Sequence, residues 1–290
     1  MNLSELTPKH HKKNATKFLI PVVIAASALS LTGGTVLAQK GLDFGVKGCL
    51  QTSSLLNSSD QTAGPELNYK NKVNAAFGIS GGYNFNEYEG VELNVLFSKQ
   101  GQGYDGDATK INANSAIVLS SEFQNIAKLN GIAFSGTYTA NVNLTYIKIP
   151  ILFRYTGNNT QKVFFSSFIG PQIDMLSAAT IQVNNTDAPK VANGLKPSDV
   201  YKKTSMDGVL GLGAGFNLSK NMVLSAHLRL DFGFADAEDK SAAVGGANFY
   251  NSGRAASHNA TGGGLISLNY KLLKKAKSKT ETKTTTKSKK

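Results

Sequence analysis

The stretch Tyr146-Ile147-Lys148-Ile149-Pro150-Ile151-Leu152-Phe153-Arg154-Tyr155 sets Ile147, Ile149, Ile151, Phe153 and Tyr155 in one phase and Tyr146, Lys148, Pro150, Leu152 and Arg154 in the other. Side chains of a β-strand point alternately to opposite faces, so this period of two predicts a strand with one apolar face and one face that carries cations. Pro150 removes a ladder donor in mid-strand, which predicts a local bulge there.

Outward from this stretch the alternation recurs. Leu42, Phe44, Val46 and Leu50 oppose Asp43, Lys47, Cys49 and Gln51; Val73, Ala75, Phe77, Ile79, Tyr83 and Phe85 oppose Asn74, Ala76, Gly78, Ser80, Gly82 and Asn84. Val91, Leu93, Val95 and Phe97 alternate with Glu92, Asn94, Leu96 and Ser98, and Val163, Phe165, Ile169 and Ile173 with Phe164, Ser166, Phe168, Gln172 and Asp174. Three further runs follow around Leu210–Leu218, Leu224–Phe234 and Ile266–Leu272, with Asp207, Gly211, Gly213, Gly215, His227, Arg229, Asp231 and Lys271 off the apolar phase. Eight strands result. Their connections alternate between long (57–72, 105–141, 178–205, 235–260) and short (86–90, 157–161, 219–220), the rhythm of surface loops and periplasmic turns in a meandering membrane barrel, with both chain ends on the short-turn side. The expected fold is an all-β, eight-stranded antiparallel up-and-down transmembrane β-barrel over residues 39–273. Within the second long connection, Ile117, Leu119, Phe123, Ile126 and Leu129 fit either a short amphipathic helix or a strand extension above the bilayer, and the segment 115–136 is expected as an ordered loop.

An inverted barrel, with the apolar phase facing an internal ligand, is the lipocalin alternative. The off-phase residues decide against it. Facing water they would be rich in Lys and Glu, yet Gly, Ser and Asn dominate, and the charges present have both signs, as a neutralised interior requires. Lys47, Glu92, Lys148, Arg154, Asp174, Asp207, Arg229, Asp231 and Lys271 are thus expected as a structural ion network in the lumen. Tyr83, Phe85, Tyr155, Phe232, Phe234 and Tyr270, near strand ends on the apolar phase, suit an interfacial aromatic girdle.

The net charge of +12 suggests an anionic partner until it is located. From Lys274 onward there are eight lysines and one glutamate, and residues 1–38 hold four lysines and one glutamate, so the excess belongs to the two ends and nucleic acid is not an expected partner. Lys9, Lys12, Lys13 and Lys17, the apolar run Phe18–Leu31 and the small-x-small Val36-Leu37-Ala38 predict a secretory signal over 1–38. A Lys/Thr/Ser tail without aromatic residues predicts disorder over 274–290. Cys49 is the single cysteine, which excludes an intramolecular disulfide and a cysteine-based zinc cluster.

The tyrosine-rich 146–155 stretch with its central Ile149-Pro150, followed by Phe168-Ile169-Gly170-Pro171 and later by Met206-Asp207-Gly208-Val209-Leu210-Gly211, resembles the PorT-type outer-membrane β-barrel proteins of Bacteroidetes. The resemblance covers roughly 39–273 and implies an outer-membrane location with a secretion- or assembly-related role. In such proteins a carboxylate often occupies the Lys148 position and the chain commonly ends near its last strand; a lysine and a Lys-rich tail stand here instead.

No catalytic, cofactor-binding or metal-ligating set is expected. Ser225, His227 and Asp231 lie on one strand face but without an identifiable oxyanion donor. His258, placed by its position in the last loop with Asp236, Glu238 and Asp239, is expected in a mobile polar segment. Gly211-x-Gly213-x-Gly215 lies within a strand rather than before a helix N-terminus, and Asp105-Gly106-Asp107 lacks the later ligands of a calcium loop. The expected function is a non-enzymatic structural, surface-binding or secretion/assembly-related role, as a monomer in the lipid bilayer, with a surface ligand engaged through the long loops. A narrow channel for small solutes and a soluble lipocalin-like carrier are the alternatives.

Overall fold

The computed structural model describes residues 40–159 and 161–272; the predicted signal over 1–38 and the Lys-rich tail over 274–290 lie outside the described residues. Eight long strands, β1 (Gly41–Asn57), β2 (Lys72–Asn84), β3 (Glu89–Asp107), β4 (Thr137–Thr156), β5 (Val163–Val183), β6 (Thr204–Asn217), β7 (Met222–Gly233) and β8 (Ser257–Lys271), fall on the eight alternating runs. Each pairs antiparallel with its sequence neighbours. The last strand returns to the first, from Asp43↔Lys271 to Asn57↔Ser257. Every long strand therefore has a partner on both sides, which is how a sheet satisfies its backbone in lipid. Both described ends lie beside the short turns.

Exposure separates the two phases. Val46, Val73 and Leu228 are 57%, 68% and 73% exposed, whereas Lys148, Glu92 and Asp231 are 1%, 2% and 4% exposed. The greasy stripe faces outward and the charges face inward, which excludes the inverted, lipocalin-like arrangement.

Pro150 does not carry the expected bulge. Pro150↔Gln172 and Phe153↔Ile169 keep one register, and only the rungs between them are missing. Pro171 on β5 sits beside this gap, so both strands lack a donor at nearly the same level and the ladder skips without slipping. The register shift occurs instead between Thr145 and Tyr146, opposite the β5 segment 176–178. Beyond it β5 changes phase, turning Ile181 and Val183 inward, where both are buried.

β3, β4 and β5 run 19, 20 and 21 residues, longer than the ~9–11 that cross a bilayer. Their extra length rises at the long-loop end and changes the character of the interior. Up to the level of Lys148 and Asp174 the inward residues are mostly polar. Above it Tyr146, Leu144, Val142, Ala140 and Tyr138 of β4 join Tyr104 and Leu55 in an apolar core. The connection 108–136 is not merely an ordered loop: it contains a helix, α1 (Leu119–Leu129), that buries Leu119, Phe123, Ile126 and Ala127 in this core. The Phe123 ring lies 5.3 Å from that of Tyr104 and 6.3 Å from that of Tyr138. Ile117 and Leu129 lie at the edge of the packed face and stay partly exposed.

Candidate functional site

The predicted lumen charges divide into two clusters. Nearer the short turns, Arg154 of β4 donates to Asp43 of β1 at 2.6 Å and to Glu92 of β3 at 2.9 Å, while Lys47 donates to Glu92 at 2.5 Å. Asn84 of β2 completes the set, donating to Asp43 and accepting from Arg154. Lys271, paired across from Asp43 in the ladder, adds its charge to this level. Higher in the barrel, Lys148 lies 2.8 Å from Asp231 and 3.8 Å from Asp174, and Arg229 donates to Asp231 at 2.7 Å and to Gln172 at 2.6 Å. Asp207, on β6 beside β5, accepts from Ser205 at 3.5 Å and lies close to Asp174. Period two makes this possible: each strand contributes an inward position every second residue, and the ring brings opposite walls within reach.

Aromatic and apolar side chains also occupy the lumen, Phe168 between the clusters and Phe164 nearer the short turns. A Cβ on Gly211 would overlap the Phe168 ring, and one on Gly215 would overlap the Phe164 ring. The glycines are therefore the floor on which two phenylalanines lie across the interior. Phe168 is buried with Cys49, Ala76, Leu152, Val209 and Leu265 in a second apolar layer.

His227 belongs to this layer. Its ring packs 5.1 Å from Phe168, and Nε2 shares a 3.1 Å hydrogen bond with Ser166. Ser225 instead bonds Ser267 at 2.7 Å, and Asp231 is held by Lys148 and Arg229. His258 is not in a loop with the acidic residues. It stands on β8 in the outward phase, stacked on Phe232 at 5.8 Å, with Nδ1 donating to the Gly233 carbonyl. Phe232 and Phe234 stand beside it at the long-loop end, and Tyr155 and Tyr270 are exposed at the other.

One buried site was not legible in the sequence. Arg254, from the connection 234–256, donates to both oxygens of Asp60 at 2.5 and 2.7 Å and to both oxygens of Glu238 at 2.7 and 2.8 Å. Asp60 also accepts the Leu119 N–H at the start of α1, and Arg254 reaches the Ile117 carbonyl. Burial pushes the Asp60 carboxyl up against the pull of Arg254, whereas at Glu238 the neighbouring Arg254 and Lys240 overcome burial and hold the carboxyl down. Tyr250 lies beneath both cations, with the Lys240 ammonium 4.6 Å from its ring centre. The third long connection joins through Lys202 N–H to Ala237 O and Asp239 N–H to Val200 O. All four long loops are thus tied together, and Ala237 and Glu238 of the acidic segment are buried in this clasp, with Asp236 and Asp239 at its edge.

Comparison with known proteins bears on this arrangement. The model of the outer membrane protein beta-barrel domain family matches residues 37–238. The chain belongs to that family. It is accordingly an outer-membrane barrel, with the ring in the bilayer. Among solved structures it is similar to the attachment invasion locus protein Ail of Yersinia pestis, crystallised with the heparin analogue sucrose octasulfate (11% identity, 81% of this chain and 100% of that one, TM-score 0.38). It is also similar to OprG of Pseudomonas aeruginosa (12% identity, 81% and 98%, TM-score 0.39) and to Neisserial surface protein A (12% identity, 80% and 97%, TM-score 0.38). No curated protein matches the chain significantly.

Proposed function

We propose that this outer-membrane barrel is a non-enzymatic, monomeric stem that carries a fixed surface of long loops for binding or assembly outside the cell, in line with a PorT-type, secretion-related role. In this reading residues 1–38 direct export, the lumen charges are a structural network, and the tail over 274–290 remains on the short-turn side. The observation that carries it is the Arg254 clasp: a buried guanidinium binding carboxylates from two loops, and through Asp60 a third, has no use in a pore but holds a surface in one shape. A filled interior supports the same conclusion, since Phe164, Phe168 and the ion pairs occupy the space a solute would need.

The experiment is a pair of measurements on one protein. Purified barrel in planar bilayers is expected to give no discrete current steps, and Arg154→Ala is expected to give none either. In outer-membrane vesicles, Arg254→Ala is expected to make the loops protease-sensitive while the barrel keeps its heat-modifiable gel mobility. Steady single-channel currents that change with Arg154→Ala would establish the narrow-channel reading in its place.

A further inference from the structure

Gly208 interrupts the lipid-facing side of β6 where large side chains stand on both sides of it. Pro171↔Gly208↔Phe232 form one row across β5, β6 and β7, and Ile169↔Leu210↔Leu230 form the next row toward the short turns. Two small or flat residues in the first row leave a groove of about 440 Å³ on the outer face. Phe234, exposed from the row above, folds over its rim, such that a Cβ on Gly208 would come 2.8 Å from the Phe234 ring tip.

We propose that this groove is a binding site for one lipid acyl chain, retained more tightly than the lipids around the rest of the barrel. The ring places the groove inside the bilayer, so its surroundings are hydrocarbon. A recess there that stays unfilled forfeits the dispersion contacts of its lining, whereas a flexible chain laid along Pro171 and against the Phe234 ring that covers Gly208 regains them without displacing any polar group. Depth agrees with a single leaflet. Gly208 pairs with Phe232, one residue before β7 ends at Gly233, so the groove lies near the long-loop edge of the exposed apolar band that runs from Met206 to Leu218 along β6 and its turn. At ~3.3 Å per residue and a tilt of ~40°, the span from Met206 to Leu218 covers about 30 Å, the whole hydrocarbon core, and Gly208 lies about 5 Å below its outer edge. A chain hanging from a headgroup above Met206 therefore meets the groove with the half nearest that headgroup.

The charges above the groove set its selectivity. Lys203 faces Asp199 at 3.8 Å, and Lys202 and Lys203 both lie close to Asp239. These lysines already have anionic neighbours within the protein, so the site recognises the hydrocarbon chain and not an anionic headgroup.

Native mass spectrometry of the full chain, released from detergent micelles doped with equal phosphatidylglycerol and phosphatidylcholine of the same chains, tests this. Wild type is expected to carry one phospholipid, with the two headgroups retained equally. Phe234→Ala, which removes the outer wall at an exposed position, and Gly208→Leu, which fills the floor, are each expected to lower retention about fivefold, the weight of a handful of lost carbon–carbon contacts. Heat-modifiable mobility shows that each variant is folded, and Phe234→Ala serves if Gly208→Leu is not. Unchanged retention in folded Phe234→Ala would overturn the site. A clear preference for phosphatidylglycerol would overturn the chain-only recognition, and a dimer released by both substitutions would show that a second copy of the chain is the true occupant.

Discussion

Asp231 is where single-residue chemistry in the lumen can be weighed. It is 4% exposed and faces two cations, Lys148 at 2.8 Å and Arg229 at 2.7 Å. Removing one partner of a buried ion pair leaves charge without compensation, which costs ~3–5 kcal/mol. Asp231→Asn is expected to lower the unfolding free energy by that amount in urea titrations followed by gel mobility. Asp207→Asn is expected to be nearly neutral, because it removes one of two carboxyls that lie close together on neighbouring strands. A second residue gives a pH signal. Burial pushes the Glu122 carboxyl up to about 7 from its usual value near 4.5, with the Ser121 hydroxyl donating to it at 3.0 Å. The folded form thus holds a proton that the unfolded form has lost, so stability falls as pH rises from about 4.5 to about 7 and is level above. Glu122→Gln is expected to strengthen hydrogen-exchange protection of α1 at pH 8, by about 1–2 kcal/mol, and to leave it unchanged at pH 4.

Among the elements, the strands were legible and the cap was not, for a physical reason. A strand in this wall sees lipid on one side and a crowded lumen on the other, and that contrast is written into the alternating residues of the eight runs between Leu42 and Leu272. The lumen charges could be named because phase alone decides which residues face inward. Their pairings could not, since Arg154 meets Asp43 across 111 residues of chain. The same distance hid the clasp: Arg254 and Asp60 are 194 residues apart, and nothing in the local pattern of either loop marks a buried partner. For α1, a period near 3.6 over eleven residues was visible, but only the apolar core of β3 and β4 decides for helix over strand. The glycine run of β6 offers a test of element packing. Gly211→Val is expected to abolish folding, as its side chain would occupy the space of the Phe168 ring, and Phe168→Ala in the same chain is expected to restore heat-modifiable barrel.

At the scale of the whole molecule, the interior is built in layers: an ion network near the short turns, an aromatic layer on glycines, a second ion network, and an apolar core closed by α1 and the tied loops. The wall and the cap rest on different solvents. Within the bilayer, the outward side chains gain nothing from leaving water, and the ring holds by strand pairing. Above it, Phe123, Tyr104, Tyr138, Tyr201 and Tyr250 are sequestered as in a water-soluble domain, where burial is driven by water and carries a large heat-capacity change. One chain thus joins a lipid-solvated cylinder to a miniature globular domain, and calorimetry is expected to resolve them as two transitions. The lower one should bear the heat-capacity increment and vanish in Phe123→Ala, while the upper one, free of such an increment, persists.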